Sequence, residues 1–203
     1  MSQIALPLPH KNARDPDRIV IGNANARVIE ALRAPDKWPF KTAILAGDPR
    51  SGKSLIGRWF ASQNIGEIID GADAMPETDL FHRWNRAQES GTPLLLIGDG
   101  DGWEITLPDL ASRLAAALHL EIGSPDDAMA ADLIQSIAAQ HGLALGEGAL
   151  TYLVPRAERS FASIEHLVKT VDRLSMERKA PATLGIWRDA LEAVQGPEQA
   201  KLF

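Results

Sequence analysis

Residues 47–54 constrain the fold of this chain more than any other segment. They read Gly-Asp-Pro-Arg-Ser-Gly-Lys-Ser and fit the pattern G-x-x-x-x-G-K-[ST]. The apolar run Thr42–Ala46 leads directly into this segment, and a helical pattern of apolar residues from Leu55 to Phe60 follows it. A buried strand, a glycine-rich loop and a helix in this order are the context in which the pattern folds around a phosphate group.

The residue types in this phosphate loop have chemical reasons. Gly47 and Gly52 allow the backbone to curl so that its N–H groups point at phosphate oxygens. Lys53 neutralises the charge of the β- and γ-phosphates, and the Ser54 hydroxyl can bind Mg²⁺. A turn with a coincidental lysine is the alternative interpretation. We expect ADP or ATP to bind at Gly47, Asp48, Pro49, Arg50, Ser51, Gly52, Lys53, Ser54 and Leu55.

Composition excludes several other classes of protein. The 203 residues include 21 basic and 27 acidic side chains, a net charge of −6, which disfavours binding to nucleic acid through bulk charge. The chain has no cysteine, which excludes disulfides, thiol catalysis and cysteine-ligated metals. It has neither a long apolar run nor an N-terminal signal pattern, so we expect a soluble, cytoplasmic protein without membrane contact.

The order of apolar patterns predicts an α/β domain followed by a helical domain. Four strands alternate with helices: Thr42–Ala46, Glu67–Asp70, Pro93–Ile97 and Leu118–Ile122. Beyond them the β patterns stop, and Ser124–Asp127 reads as a helix start with Pro125 at the first helical position. We expect four segments: an extended arm (1–18), the α/β domain (19–123), the helical domain (124–195) and a C-terminal tail (196–203).

Hydrolysis of a bound nucleotide would need an acid that orients Mg²⁺ and a group that orients water. Asp70, at the end of a predicted strand, is the candidate metal ligand beside Ser54. Asp99, at the tip of the most hydrophobic strand, could sense the γ-phosphate or hold the water. The residue after Asp70, where many such ATPases carry a second acid, is Gly71. The sequence therefore predicts nucleotide binding with weak or no intrinsic hydrolysis.

Four segments together resemble the DnaA-related AAA+ regulators of the Hda type. Gln3–Leu8 (Gln-Ile-Ala-Leu-Pro-Leu) resembles the peptide by which that family binds the DNA polymerase sliding clamp. Ile19–Asn25 is similar to the box ahead of the phosphate loop whose backbone contacts adenine. The phosphate loop is the third segment. Leu107–Leu114 is similar to box VII, which carries the arginine finger, here Arg113.

The resemblance implies a P-loop AAA+ fold, with an ASCE-type parallel sheet and a small all-helical lid formed by the helical domain. It implies that Val20 and Ile21 contact adenine, that Asp99 is sensor 1, and that Arg113 acts in trans on ATP held by DnaA. The clamp-binding residues would be Gln3, Leu6, Pro7 and Leu8. The implied partners are the sliding clamp and DnaA, and the implied role is inhibition of replication initiation. Self-association remains open.

Several positions depart from this family. The span from Ser54 to Asp70 leaves room for one strand fewer than usual, so we expect a sheet that lacks one edge strand. An alternative alignment makes Glu67–Asp70 that edge strand and leaves no metal-orienting acid. The family's sensor 2 arginine aligns with Ala162, although Arg159 could substitute for it. We expect no helix–turn–helix domain and hence no direct sequence-specific DNA binding.

Two alternative functions and one further motif remain. The chain could be a stand-alone P-loop ATPase or kinase that acts on a small molecule, or a degenerate scaffold that binds the clamp without a nucleotide. Gln199–Phe203 (Gln-Ala-Lys-Leu-Phe) fits a second form of clamp-binding peptide. Such short peptides can bind from extended tails because they become ordered on binding.

Overall fold

The computed structural model describes residues 19–99 and 103–196. Strands and helices alternate in the first part of the chain, and only helices follow. The strands are β1 (Thr42–Gly47), β2 (Glu67–Asp70), β3 (Leu94–Ile97) and β4 (Leu118–Ile122). The helices are α1 (Ala26–Leu32), α2 (Lys53–Ser62), α3 (Glu77–Ser90), α4 (Pro108–Ala115), α5 (Asp127–Gln140), α6 (Ala149–Leu153), α7 (Phe161–Arg178) and α8 (Leu184–Gln195).

The four predicted strands form one parallel sheet in the order β2-β3-β1-β4. In the central pair, Thr42 lies opposite Leu94, and Ala43 lies opposite Leu118 on the other side. Every residue of β3 is buried. Helices cover both faces of a parallel sheet, which is why β3 is an unbroken apolar run rather than an alternating one. The prediction of a four-stranded α/β sheet is confirmed.

Alternate residues of each strand enter two separate cores, one on each face of the sheet. On one face, Ala43 and Leu45 of β1 pack with side chains from α1 and α2. On the other face, Ile44 packs with side chains from α3 and α4. Because all four strands are parallel, the loops that follow them emerge at the same edge of the sheet. The phosphate loop and the segment that starts at Gly98 therefore lie on the same side of the molecule.

Helices α5–α8, which we call the lid, have a hydrophobic core of their own around Trp187, Ile164 and Val168. The lid also touches the α/β part, since Met129 and Phe161 belong to the core beneath α1 and α2. The helix start differs from the prediction. The carboxylate of Asp126 accepts a hydrogen bond from the Met129 N–H at 2.8 Å, so Asp126 is the cap and Pro125 precedes the helix. Asp126 thereby satisfies an amide of the first turn that has no intrahelical acceptor, so the helix begins at Asp127.

The longest helix among the described residues is α7, with 18 residues. It carries several charged side chains, including Glu165, Lys169 and Arg173. No helix in residues 19–99 and 103–196 is long and apolar enough to cross a membrane.

Candidate functional site

The phosphate loop turns sharply between β1 and α2, and two of its glycines make this turn possible. Gly47 has φ +149° and Gly52 has φ +93°, backbone conformations that other residues rarely adopt. A Cβ on Gly47 would also lie 3.0 Å from the Ile122 Cβ and 3.1 Å from the Ile122 carbonyl oxygen. The loop backbone therefore approaches the end of β4 at a distance that only glycine allows.

The start of α2 offers hydrogen-bond donors to a ligand. The Ile56 N–H bonds back to the Gly52 carbonyl at 2.9 Å, while the amides before it belong to the first turn, which has no intrahelical acceptor. Ser51, only 3% exposed, contributes a hydroxyl that has no hydrogen-bond partner among the described residues. Buried hydroxyls in folded proteins nearly always have a partner. An acceptor such as a phosphate oxygen would satisfy both kinds of donor.

Lys53 concentrates positive charge at the same edge. Its side chain is 10% exposed, and its ammonium lies 3.2 Å from a carboxylate oxygen of Asp99. The ammonium also donates to the Asp48 carbonyl at 3.1 Å. The structure thus brings together Lys53 and Asp99, two predicted site residues that are far apart in the chain.

The acid that ends β2 and the acid three residues after it occupy different surroundings. Asp70, the predicted metal ligand, ends the strand beside Ile97 and is exposed. Asp73, which was not among the predicted site residues, accepts a hydrogen bond from the Asp99 N–H at 3.0 Å. A Cβ on Gly98 would lie 3.2 Å from the Asp73 carboxyl carbon, so the contact is close. Asp73 was detectable in principle, since a carboxylate that closely follows a parallel strand lies at this edge.

The phosphate loop forms one wall of a cavity of about 440 Å³, which is in the range of small-ligand sites. The loop contributes Arg50, Ser51 and Gly52, and the start of α2 contributes Leu55. The segment ahead of α1 contributes a second wall, and the lid contributes the third. The remaining lining residues are Ile19, Val20, Asn25, Ile56, Leu133, Ser136, Ile137, Gln140, His141, Phe161, Glu165 and Lys169.

The two residues predicted to contact adenine have different positions. The Val20 side chain lines the cavity, whereas Ile21 does not and is 51% exposed. The resemblance implies that the backbone of this segment contacts adenine. An exposed Ile21 side chain is compatible with such a backbone contact. Asn25, which was not a predicted site residue, fixes this backbone. Its side chain donates to the Val20 carbonyl at 2.8 Å and accepts from the Gly22 N–H at 3.0 Å.

An ion pair joins the phosphate loop to the lid across this cavity. An Arg50 guanidinium nitrogen lies 2.9 and 2.8 Å from the two carboxylate oxygens of Glu165 on α7. Lys169, one turn further along α7, also bonds to Glu165 at 2.5 Å. Burial raises the pKa of Glu165, but the hydrogen bonds and charges of Lys169 and Arg50 outweigh it and leave this pKa below its usual range. Glu165 is therefore ionised at neutral pH.

The suggested substitute for the sensor 2 arginine lies elsewhere. Arg159 forms an ion pair of 2.6 Å with Asp127 at the start of α5, and it also donates to the Val154 carbonyl. Neither Arg159 nor Ala162 lines the cavity. Within the described residues, the charged or imidazole side chains that the lid places around the cavity are Glu165, Lys169 and His141.

Arg113 lies on α4, on the side that packs against α3. Its guanidinium is 4.7 Å from the ring centre of Phe81 and 4.5 Å from that of Trp84. It also donates to the side-chain oxygen of Asn85 at 2.5 Å. Arg113 does not line the cavity beside the phosphate loop. Its guanidinium therefore contacts α3 and not a ligand in this cavity.

The remaining predicted sites give no further cluster. The clamp-binding residues Gln3, Leu6, Pro7 and Leu8, and the C-terminal motif Gln199–Phe203, lie outside the described residues. No group of three or more potential metal ligands occurs in residues 19–99 and 103–196.

Solved structures of other proteins share this architecture. Domain III of the replication initiation protein DnaA from Thermotoga maritima matches 94% of this chain and 100% of its own length, with a TM-score of 0.75 and 14% identity. The AAA domain of FIGL-1, solved in complex with ADP, matches 89% of this chain and 85% of its own, with a TM-score of 0.63 and 15% identity. The chain has the AAA+ fold.

Comparisons of sequence give less information about this chain than comparisons of structure. No protein-family model matches the chain. An uncharacterised protein of Haemophilus influenzae is 27% identical over 111 residues, which cover 53% of this chain. The matched region spans 48% of that relative, about half its length.

A DnaA structure bound to AMPPCP and single-stranded DNA matches the AAA+ fold over 82% of this chain and 67% of its own, with a TM-score of 0.61 and 16% identity.

Proposed function

We propose that the chain binds an adenine nucleotide between the phosphate loop and the lid. The observation that carries this proposal is the loop itself, where first-turn amides, the unpartnered Ser51 hydroxyl and the Lys53 ammonium meet at one edge of the sheet. The adjoining cavity has apolar walls that suit a base. AAA+ structures with the same fold hold AMPPCP or ADP. These features support ADP or ATP as the ligand.

We further propose that Mg²⁺ accompanies the nucleotide. The Ser54 hydroxyl and the carboxylates of Asp70 and Asp73 are hard oxygen donors, the type that Mg²⁺ prefers, and the phosphates of the nucleotide would supply further oxygens. Bound Mg²⁺ would neutralise phosphate charge. Asp73 joins the predicted ligands Ser54 and Asp70 because it is hydrogen-bonded to the Asp99 backbone beside Lys53.

Intrinsic hydrolysis is weak or absent in this proposal. Asp99, the candidate for orienting water, is ion-paired with Lys53. Gly71 supplies no acid directly after Asp70, and the lid places no arginine on the cavity wall among the described residues. Binding without turnover is expected when the phosphates are held but no base is in place.

The proposed biological role is regulation of chromosomal replication initiation in the cytoplasm. The protein would bind the sliding clamp through residues 3–8 and present Arg113 to ATP on DnaA. A guanidinium stabilises the charge that develops on the phosphoryl group during hydrolysis, and an arginine supplied in trans contributes about 10³–10⁵ in rate. The AAA+ fold shared with DnaA and the location of Arg113 outside its own cavity support this role.

A phosphate-release assay tests the role of Arg113. Wild-type protein, added to DnaA with ATP and DNA-loaded clamp, should accelerate phosphate release, and Arg113→Ala should abolish the acceleration. Arg113→Lys should also lose most of it, since an ammonium lacks the planar fork of a guanidinium. Arg86→Ala, which removes an exposed arginine of α3, is the matched control. Unchanged acceleration by Arg113→Ala would remove this residue from the mechanism.

The phosphate-release assay and separate binding measurements together distinguish the alternative functions. Phosphate release by the chain alone would favour a stand-alone ATPase or kinase. Binding to the clamp together with no affinity for adenosine phosphates would favour a degenerate scaffold.

Thermal unfolding of each variant shows whether the loss of Arg113 packing against Phe81 and Trp84 has damaged the fold.

A further inference from the structure

The ion pair between Arg50 and Glu165 connects two parts of the molecule that are 115 residues apart in sequence. Arg50 belongs to the phosphate loop and Glu165 to the lid helix α7. Both side chains line the cavity in which we place the nucleotide. The pair therefore spans the cavity boundary and ties the lid to the loop that would hold the phosphates.

The backbone of Arg50 indicates that this side chain has a specific task. Arg50 has φ +64°, the left-handed region, which is strained for any residue other than glycine or asparagine. The loop would form with less strain if glycine occupied this position. A strained residue persists when its surroundings hold it in place, and the contact with both oxygens of Glu165 is such a constraint.

The charges around Glu165 leave a surplus cation at the cavity. Arg50 and Lys169 both bind the one carboxylate, so the three groups together carry a charge of about +1. The Glu165 side chain is 25% exposed, whereas those of Arg50 and Lys169 are 60% and 48% exposed, so water screens the two cations more than the carboxylate. A cluster with net positive charge attracts the phosphates of a nucleotide. The Glu165 carboxylate also offsets the repulsion between Arg50 on the loop and Lys169 on the lid, which would otherwise favour their separation.

We propose that the Arg50–Glu165 pair is a latch that holds the lid over the bound nucleotide and sets its residence time. This inference rests on the proposed nucleotide binding. Both partners are positioning residues that belong to the chain, so the latch does not depend on a particular phosphate of the ligand. Its loss should therefore accelerate the release of ADP and ATP by the same factor.

Two single variants and their combination test the latch. Arg50→Gly removes the side chain without adding backbone strain, and Glu165→Gln keeps the size of the side chain but removes its charge. Dissociation of N-methylanthraniloyl-ADP and of the corresponding ATP analogue is followed by stopped-flow displacement with unlabelled nucleotide. Arg173→Gln, which breaks the exposed Arg173–Glu177 pair of the same helix, is the matched control.

The latch predicts that each single variant releases both nucleotides about fivefold faster, the upper range for a partly exposed ion pair. The double variant should be no faster than either single variant, because both remove the same interaction. Added salt should accelerate release from the wild type more than from the double variant, which keeps Lys53 and Lys169 but lacks the ion pair. The control should match the wild type.

Three results would overturn the latch. Wild-type rates in both single variants would show that the pair does not hold the lid. Slower release from Glu165→Gln would show that Arg50, once free, binds phosphate directly. Rate factors that multiply in the double variant would show that the two side chains act separately. If the wild type binds neither nucleotide, the latch and the proposed nucleotide binding both fail, whereas any of the first three results leaves nucleotide binding intact.

Discussion

Gly47 is the residue at which the phosphate loop is most constrained. It combines φ +149° with a backbone approach to Ile122 that leaves only 3.0 Å for an added Cβ. Both effects act on the folded state and not on the unfolded chain. Gly47 is therefore required by the fold, independently of any ligand.

Gly47→Ala should destabilise the folded protein by about 1–3 kcal/mol, the usual cost of forcing extra atoms into a packed site. Urea unfolding of both proteins measures the difference. Gly146→Ala is a suitable control, because a Cβ at Gly146 meets nothing within 4 Å. Equal losses in the two variants would contradict the close approach to Ile122.

Glu165 gives the stability of the protein a pH dependence of definite sign. Its pKa in the folded state is below the usual range, in spite of burial, because of the bonds to Lys169 and Arg50. A carboxyl group with a lowered pKa stabilises the folded state at neutral pH, and this contribution is lost as the pH falls through the folded pKa. The relevant window lies below about pH 4.3, the usual value for glutamate.

Glu165→Gln should therefore unfold at a lower temperature than the wild type at neutral pH, and the difference should shrink as the pH approaches about 3. Thermal unfolding by circular dichroism across this range provides the measurement. Glu177→Gln, which alters an exposed pair with Arg173 on the same helix, serves as the control. A difference that grows on acidification would be incompatible with a lowered pKa at Glu165.

At the scale of elements, Glu77 fixes the position of α4 relative to α3. Glu77 lies at the start of α3, and its carboxylate accepts hydrogen bonds from the Thr106 N–H at 2.8 Å and the Leu107 N–H at 2.6 Å. These backbone bonds hold the pKa of Glu77 below its usual range. Leu107 is the residue directly before α4, which carries Arg113. Glu77 thus joins α4, the helix that carries the candidate arginine finger, to α3, which packs against the sheet.

Glu77→Gln should loosen the start of α4, since an amide has one acceptor oxygen instead of two. Hydrogen exchange at the amides of Thr106 and Leu107 should become faster than in the wild type. Exchange within β3 should stay unchanged, because that strand is fully buried. Unchanged exchange at both amides would mean that other contacts hold this segment.

The predictions from sequence succeeded for elements whose signal is local. Strands β1 and β3 are short apolar runs, β2 and β4 are short segments with two or three apolar residues each, and the phosphate loop is a continuous pattern, so each could be predicted from neighbouring residues alone. The start of α5 was placed too early because Ser124, Asp126 and Asp127 are all acceptable caps, and only the Asp126–Met129 bond selects one. Local signals therefore predict that an element exists more accurately than where it begins.

At the scale of the whole molecule, the contacts that complete the candidate site join distant parts of the chain. Arg50 and Glu165 belong to different halves, as do the phosphate loop and the lid wall of the cavity. The Arg113 contacts with Phe81 and Trp84 require two helices to pack face to face. No spacing in the sequence predicts such pairs, which explains why Glu165 was not among the predicted site residues.

The whole molecule is an α/β unit with a lid, and the site lies where the two meet. In the proposed complex, the phosphates would lie on the α/β side and the base would contact residues of both parts. A ligand held in this way would stabilise the lid as well as the loop. Nucleotide binding is therefore the central claim, since the proposed regulatory role and the latch both depend on it.

Calorimetric titration of the wild-type chain with ADP in the presence of Mg²⁺ tests that claim most directly. We expect one nucleotide to bind per chain, and Lys53→Ala to weaken binding at least tenfold, because it removes the charge that faces the phosphates. Lys37→Ala, which alters an exposed lysine outside the cavity, should bind as the wild type does. No heat of binding at millimolar ADP, or equal affinity in the wild type and Lys53→Ala, would contradict nucleotide binding at this loop.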